Sequence, residues 1–303
     1  MISLFDRGPR GAIDEIANQR HIWSASNLLG RNNVREATSI SESMPYLEIC
    51  NLALKDEKIF NKFKSNVEYR AVLEHVNYEQ GIEYLDLLLP RSSELRNLKF
   101  IASKDLCTPQ RYFYPKLGRV SPTQIRYAKV MQDIHQLFGS LNEMTVAEIG
   151  VGYGGQAIHI LKSDRVAKYI MFDLDYPSQL ALKYVSKFPF KFSINPEVGN
   201  HSSLYSSDLV ISNYAFSELT RDFQEVFLTN LILNSKRGYF IYNHIHANPE
   251  DSMSAIEFSA RIPGAEIFEE IPLTYAGNVL VVWGHSNSLY DEELFQKVDL
   301  SGN

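Results

Sequence analysis

Cysteine is scarce in this chain. The 303 residues include two, Cys50 and Cys107, far apart and without C-x-x-C spacing. That rules out a disulfide framework and predicts free thiols in a reducing compartment. A basic surplus is missing as well. Against 36 Asp and Glu stand 30 Lys and Arg, a formal charge of −6, and no stripe of the kind a nucleic-acid binder carries. No apolar run reaches the length of a bilayer span, so membrane insertion is not expected. The opening Met1-Ile-Ser-Leu-Phe-Asp-Arg lacks the apolar core of a secretory signal. Internal repeats and low-complexity tracts are absent. The expectation is a cytoplasmic globular protein.

What is present changes character near residue 120. Residues 1–120 read as a helical region serving as a lid, as a substrate wall or as the surface of a homodimer. Helices fit Ala12 to Leu29, Tyr46 to Phe63, Val67 to Val76 and Gly81 to Leu89, the last stopped by Pro90. An aromatic and basic turn segment follows from Thr108 to Gly118. Residues 121–303 read as a second domain. Ser121-Pro122 starts a helix, Ser as N-cap and Pro in the first position, which continues to Phe138 and ends at Gly139. Strands then alternate with helices. Strands fit Thr145 to Ile149, Tyr169 to Phe172, Phe190 to Ile194, Asp208 to Ser212 and Gly238 to Tyr242. Helices begin near Ala157, Pro177, Phe223 and Ile256. Such alternation predicts an α/β fold with a mostly parallel sheet. The last two strands, Glu266 to Ile271 and Val279 to Trp283, are joined by so short a turn that they must be antiparallel. A mostly parallel sheet closed by a C-terminal hairpin is the Rossmann-like class I methyltransferase pattern.

The densest signal is Glu148-Ile-Gly150-Val-Gly152-Tyr-Gly154-Gly155-Gln156, at a strand-to-helix turn. Glycines there let the backbone approach a ligand closely, and ligands of open α/β sheets bind beyond the carboxyl ends of the strands. Two readings compete. The segment contains E-x-G-x-G-x-G, the form used for S-adenosylmethionine (SAM). Gly150, Gly152 and Gly155 also satisfy G-x-G-x-x-G, the dinucleotide fingerprint. Asp173, after the next strand, suits a ribose in either case. Three features favour SAM: the carboxylate of Glu148, suited to the cationic methionine end; a remainder filled by one sheet, with no second catalytic domain; and the closing hairpin.

Several segments resemble a narrower group, the sugar O-methyltransferases of bacterial surface-polysaccharide gene clusters. They are Tyr69-Arg-Ala-Val-Leu-Glu-His-Val76, Ser121-Pro-Thr-Gln-Ile-Arg-Tyr127, the glycine loop, and Ser212-Asn-Tyr-Ala-Phe-Ser-Glu-Leu219, with Tyr242-Asn-His244 similar. The resemblance runs from about Val67 to Trp283. Phe172-Asp-Leu-Asp-Tyr-Pro177 stands where the family pattern has Asp-Leu-Pro, so Asp173 and Leu174 match and Asp175 does not. The resemblance implies a sugar hydroxyl as acceptor in polysaccharide biosynthesis. A non-sugar small molecule and a non-catalytic SAM-binding subunit remain alternatives.

Methyl transfer needs an acceptor oxygen held in line with the S–CH₃ bond and a base for its proton. Glu218 and His244, beyond the fourth and fifth strands, are the catalytic candidates, with Asn243 beside them for substrate. Ser212, Asn213 and Tyr214 are expected to line the cofactor. Arg126 and Tyr127, on the helix before the first strand, are expected to cover it, with Arg126 on the SAM carboxylate. Arg111, Tyr112 and Tyr114 could stack on a sugar and pair with its phosphate. Asn195 is a candidate for the adenine end. Glu74 and His75 read as structural. His246 could join His244 as a metal fragment, but no carboxylate cluster suits magnesium, and no metal is expected.

Overall fold

The computed structural model describes residues 44–88, 92–104, 106–115, 117–190, 196–243, 251–286 and 295–298. The proposed helix Ala12 to Leu29 lies outside them, as do Asn195, His244 and His246. Helix α1 (Met44–Lys55) ends where Asp56 accepts from the backbone N–H groups of Lys58 and Ile59, capping a separate turn, α2 (Glu57–Phe60). The expected single helix from Tyr46 to Phe63 is therefore broken by a side chain that competes for backbone donors. Then follow α3 (Val67–Val72), capped by Asn66, α4 (Tyr78–Leu88) and α5 (Ser92–Ser103). The aromatic turn segment forms a small antiparallel hairpin, β1 (Tyr112–Tyr114) and β2 (Gly118–Val120).

Helix α6 (Pro122–Phe138) begins at a Pro and ends at Gly139, which has φ 72°. Ser121 does not cap it. Its hydroxyl instead donates to Glu74 Oε2 at 3.1 Å. The remaining elements are β3 (Thr145–Ile149), α7 (Gly155–Ser163), β4 (Lys168–Phe172), α8 (Asp175–Val185), β5 (Pro196–Val198), β6 (Leu209–Asn213), α9 (Arg221–Asn230), β7 (Gly238–Tyr242), α10 (Ala255–Ala260), β8 (Glu266–Glu269) and β9 (Val279–Trp283). Their order in the sheet is β5-β4-β3-β6-β7-β9-β8. β5, β4, β3, β6 and β7 run parallel, and β9 is antiparallel to both β7 and β8. This is the Rossmann-like α/β sheet with its C-terminal hairpin. A parallel strand lies at Pro196–Val198, while residues 191–194 of the strand expected at Phe190 to Ile194 lie outside the described residues.

Strand alternation splits the core in two. Ile149, Ile170, Val210, Phe240 and Val281 face α9 and α10, where Phe216, Phe240, Phe258 and Trp283 pack edge to face and tilted. Val146, Tyr169, Ile211 and Tyr239 face α6, α7 and α8. α6 is buried on both sides. Tyr127, Met131 and Ile134 meet the sheet side, while Ile125 and Ala128 meet Tyr84, Leu85 and Leu98 of α4 and α5. Each such side chain contributes about 1.5–3 kcal/mol on burial. α1 packs on α8, and a buried ion pair, Lys64 to Glu74 at 3.4 Å, lies within the helical layer. Lys64 lies 4.3 Å from the ring centroid of Tyr153.

Candidate functional site

The parallel strands end along one edge. Sequence order reverses between β3 and β6, which makes the gap between them the topological switch point of the sheet. Gly150 follows β3 there and Tyr214-Ala215 follow β6. Asp173 follows β4, Gly199 follows β5, Asn243 follows β7 and Glu270 follows β8. Among otherwise buried strand ends, Gly150, Asp173, Leu174, Gly199, Asn213, Tyr214 and Asn243 keep partial exposure.

The loop needs its glycines. Gly150, Gly152 and Gly154 have φ of 78°, 56° and 85°, a region that penalises any Cβ. A Cβ on Gly150 would overlap that of Ala215, and one on Gly155 would overlap the Tyr127 ring. Asp173 is held by the loop: the Gly152 N–H donates to Oδ2 and the Leu174 N–H to Oδ1, both at 2.8 Å. Burial lifts the Asp173 carboxyl to about 6 despite those two donors. Glu148 points under α6 and accepts from the Tyr169 hydroxyl at 2.6 Å. Burial pushes it up to about 8, with the Tyr169 bond pulling the other way and Asp173 pushing with burial.

Asn213, at the end of β6, has both amide atoms buried and no partner for either. Such a group costs its desolvation unless something meets it. Ser212 is different. Its hydroxyl donates to the Ile149 carbonyl at 3.1 Å and accepts from the Phe216 N–H at 3.0 Å, clipping β6 to β3. Gln156 is fully buried and its amide reaches the Tyr127 carbonyl at 3.4 Å. Its Oε1 is buried without a partner.

Tyr214 sits in the left-handed region, φ 70°, which is costly for a bulky residue. Its hydroxyl donates to Glu270. The 3₁₀ turn Ala215–Glu218 brings Glu218 Oε1 to the Asn243 amide at 3.1 Å, and the Ser217 hydroxyl donates to Asn243 Oδ1 at 2.6 Å. The structure therefore joins Glu218 and Asn243.

The hairpin residues behave otherwise. Tyr114 is fully buried, stacks on Tyr78 and donates to the Tyr78 carbonyl at 3.3 Å. Tyr112 leans on Tyr78 and bonds the Gln110 amide. These two are engaged with α4 rather than with the strand ends, and Arg111 is half-buried beside them. Glu74 forms an ion pair with Lys64. Among the described residues no group of three His, Cys, Asp or Glu is placed to hold a metal. No described helix is long and apolar enough to cross a membrane.

Arg126 is buried beside the rings of Tyr127 and Tyr214, at 5.3 and 5.7 Å from their centroids. It lines a small cavity together with Tyr84, Lys129, Tyr239, Ile241 and Glu270. Sequence reasoning passed over Tyr84, Lys129 and Glu270. The one signal for Glu270 was an acid at the carboxyl end of a strand.

No family model and no curated protein matches the chain. Solved structures do. The magnesium protoporphyrin IX methyltransferase of Synechocystis PCC 6803, with bound SAM, is 12% identical, with 52% of this chain and 77% of that one covered and a TM-score of 0.42. A SAM dependent methyltransferase from Aquifex aeolicus is 18% identical over 52% of this chain and 88% of that one, TM-score 0.37. An arsenic(III) SAM methyltransferase from Chlamydomonas reinhardtii is 14% identical over 49% and 66%, TM-score 0.35.

Proposed function

We propose that this chain is a SAM-dependent O-methyltransferase acting on a sugar hydroxyl of a bacterial surface-glycan precursor. The observation that carries the cofactor is the switch-point crevice. It sets E-x-G-x-G-x-G and a loop-bound aspartate opposite Asn213, an amide with both polar atoms buried and unmet. The donor set fits SAM. Asp173 has lone pairs left for two ribose hydroxyls, Glu148 offers a carboxylate to a cation, and the Asn213 amide can donate and accept. When bound, SAM supplies an electrophilic methyl group on a sulfonium.

The chain's own residues do the rest. Closure of the crevice by Tyr127 and Tyr214 excludes water and restricts the acceptor to one approach. Glu218 takes the proton of the acceptor hydroxyl as the new C–O bond forms. Asn243 donates to Glu218 and orients its carboxylate. His244, the second base candidate, follows Asn243 directly in the sequence. The sugar acceptor rests on the Ser-Asn-Tyr-Ala-Phe-Ser-Glu segment, which supplies Asn213, Tyr214 and Glu218 together.

Calorimetric titration with S-adenosylhomocysteine (SAH), with NAD as control, tests the cofactor. Binding of SAH that Asp173→Ala abolishes is the expected result. Binding of NAD without SAH would return the loop to a dehydrogenase.

A further inference from the structure

Apart from Arg126, the buried lysines and arginines among the described residues come with counter-charges. Lys64 has Glu74 at 3.4 Å and Lys129 has Asp133 at 2.7 Å. Arg126 does not. It is 6% exposed, its Nε is buried without a partner, and it makes no ion pair with any described residue. A guanidinium cannot shed its charge, and burying it uncompensated is costly. A methionine of similar length would fill the same place at no such cost.

The surroundings say what the charge is for. Arg126 lines the cavity between α4, α6 and the ends of β7 and β9. The second cation there, Lys129, is spoken for by Asp133, which also accepts from the Tyr239 hydroxyl at 2.7 Å. On the far side stands Glu270. Its Oε2 already accepts from the Thr274 N–H at 3.0 Å, the Thr274 hydroxyl at 2.7 Å and the Asn278 amide at 3.0 Å, and its Oε1 from Tyr214. Glu270 is thus satisfied by neutral donors, and Arg126, bonded to the Tyr127 side chain, has no carboxylate partner among the described residues. Tyr214, which follows β6 beside the glycine loop, reaches Glu270 with its hydroxyl and lies near Arg126 with its ring.

Resting on the methyltransferase reading, we propose that the acceptor carries a carboxylate or phosphate oxyanion and that Arg126 binds it in this cavity. The planar fork of the guanidinium suits either group in a two-point contact. The anion would sit behind Tyr214, with the hydroxyl to be methylated on the crevice side. Glu270, facing the same space, would repel a misplaced anion and accept from neighbouring hydroxyls.

The test is calorimetry on the full chain saturated with SAH. The probes are D-glucuronate for the carboxylate, glucose 1-phosphate for the phosphate, and glucose as the uncharged control. At least one anionic sugar is expected to bind tenfold or more tighter than glucose, and which one does so identifies the anion. Arg126→Met should erase that preference and leave SAH affinity within about twofold. Glu270→Gln should tighten the anionic probe. If Arg126→Met does not fold, Arg126→Lys, which keeps the charge and loses the fork, should weaken the preference. Two results overturn the proposal. One is no preference for either anion. The other is a tenfold loss of SAH affinity in Arg126→Met with no loss for 5′-methylthioadenosine, which lacks the amino-acid end; Arg126 would then serve the cofactor carboxylate. If wild-type protein binds no SAH, the methyltransferase reading fails by itself, and the same sugar titrations on ligand-free protein still decide Arg126.

Discussion

Glu148 should make the stability of the ligand-free protein fall as pH rises. Its carboxyl is 2% exposed, and burial holds it near 8 against an ordinary 4.5. Below 4.5 both folded and unfolded chains are protonated at this site. Between 4.5 and 8 the unfolded chain ionises while the folded one keeps its proton. The folded state then binds more protons, so stability drops with pH by about 1.4 kcal/mol per unit, and the fall is complete above 8. The whole gap corresponds to about 5 kcal/mol at 1.36 kcal/mol per pH unit. Glu148→Gln preserves shape and accepts the Tyr169 hydroxyl but has nothing to ionise. Urea denaturation of both proteins at pH 5.5, 7 and 8.5 reads the difference. Across that span the wild type should lose about 3 kcal/mol relative to the variant. Curves that stay parallel would refute the argument. SAH brings an ammonium group that favours the carboxylate, so saturating it should flatten the wild-type curve.

Asn213→Ala removes a buried amide with no partner. It should stabilise the ligand-free protein by about 1–2 kcal/mol, while weakening SAH about tenfold by calorimetry. Glu218→Gln should keep SAH affinity and lower kcat by about 10²–10⁴ on whichever acceptor turns over; an unchanged kcat would remove it as the base. Gly150→Ala demands φ near 78° of a residue whose Cβ overlaps Ala215. A loss of about 2 kcal/mol or more in urea is expected, with SAH binding lost.

The sequence was most legible where one local force decides. β7 and β9 have the bounds that their apolar runs predict, since a strand buried on both faces has no other use for them. The Pro at the start of α6 and Gly139 at its end work locally too. Elsewhere competing forces won. The edge strand 196–198 went unread because it opens on a proline, which only an edge strand tolerates. α5 went unread because Ser92-Ser-Glu-Leu-Arg-Asn97 is polar, and its burial depends on α6 beneath it. In the site, the glycine loop and Asp173 lie in short segments whose chemistry is self-contained, whereas the Glu218–Asn243 bond joins the ends of two strands. Ser212 and Tyr114 have the right residue types, but tertiary neighbours absorb their polar groups. Arg126 and Glu270 could not be coupled from sequence, because only the return of the C-terminal hairpin beside β7 sets them around one cavity.

Tyr214 has a kinetic consequence. Its backbone, held in the left-handed region, sets Ala215 against Gly150 in the floor of the crevice. Its ring lies near Arg126 and its hydroxyl rests on Glu270 in the neighbouring cavity. One residue thus touches both the glycine loop's neighbour and the Arg126–Glu270 cluster. Under the proposed function, direct transfer to an acceptor held beside it should pass through a ternary complex, with initial-velocity lines that intersect. Parallel lines, the mark of a methyl group parked on the protein between half-reactions, should never be seen.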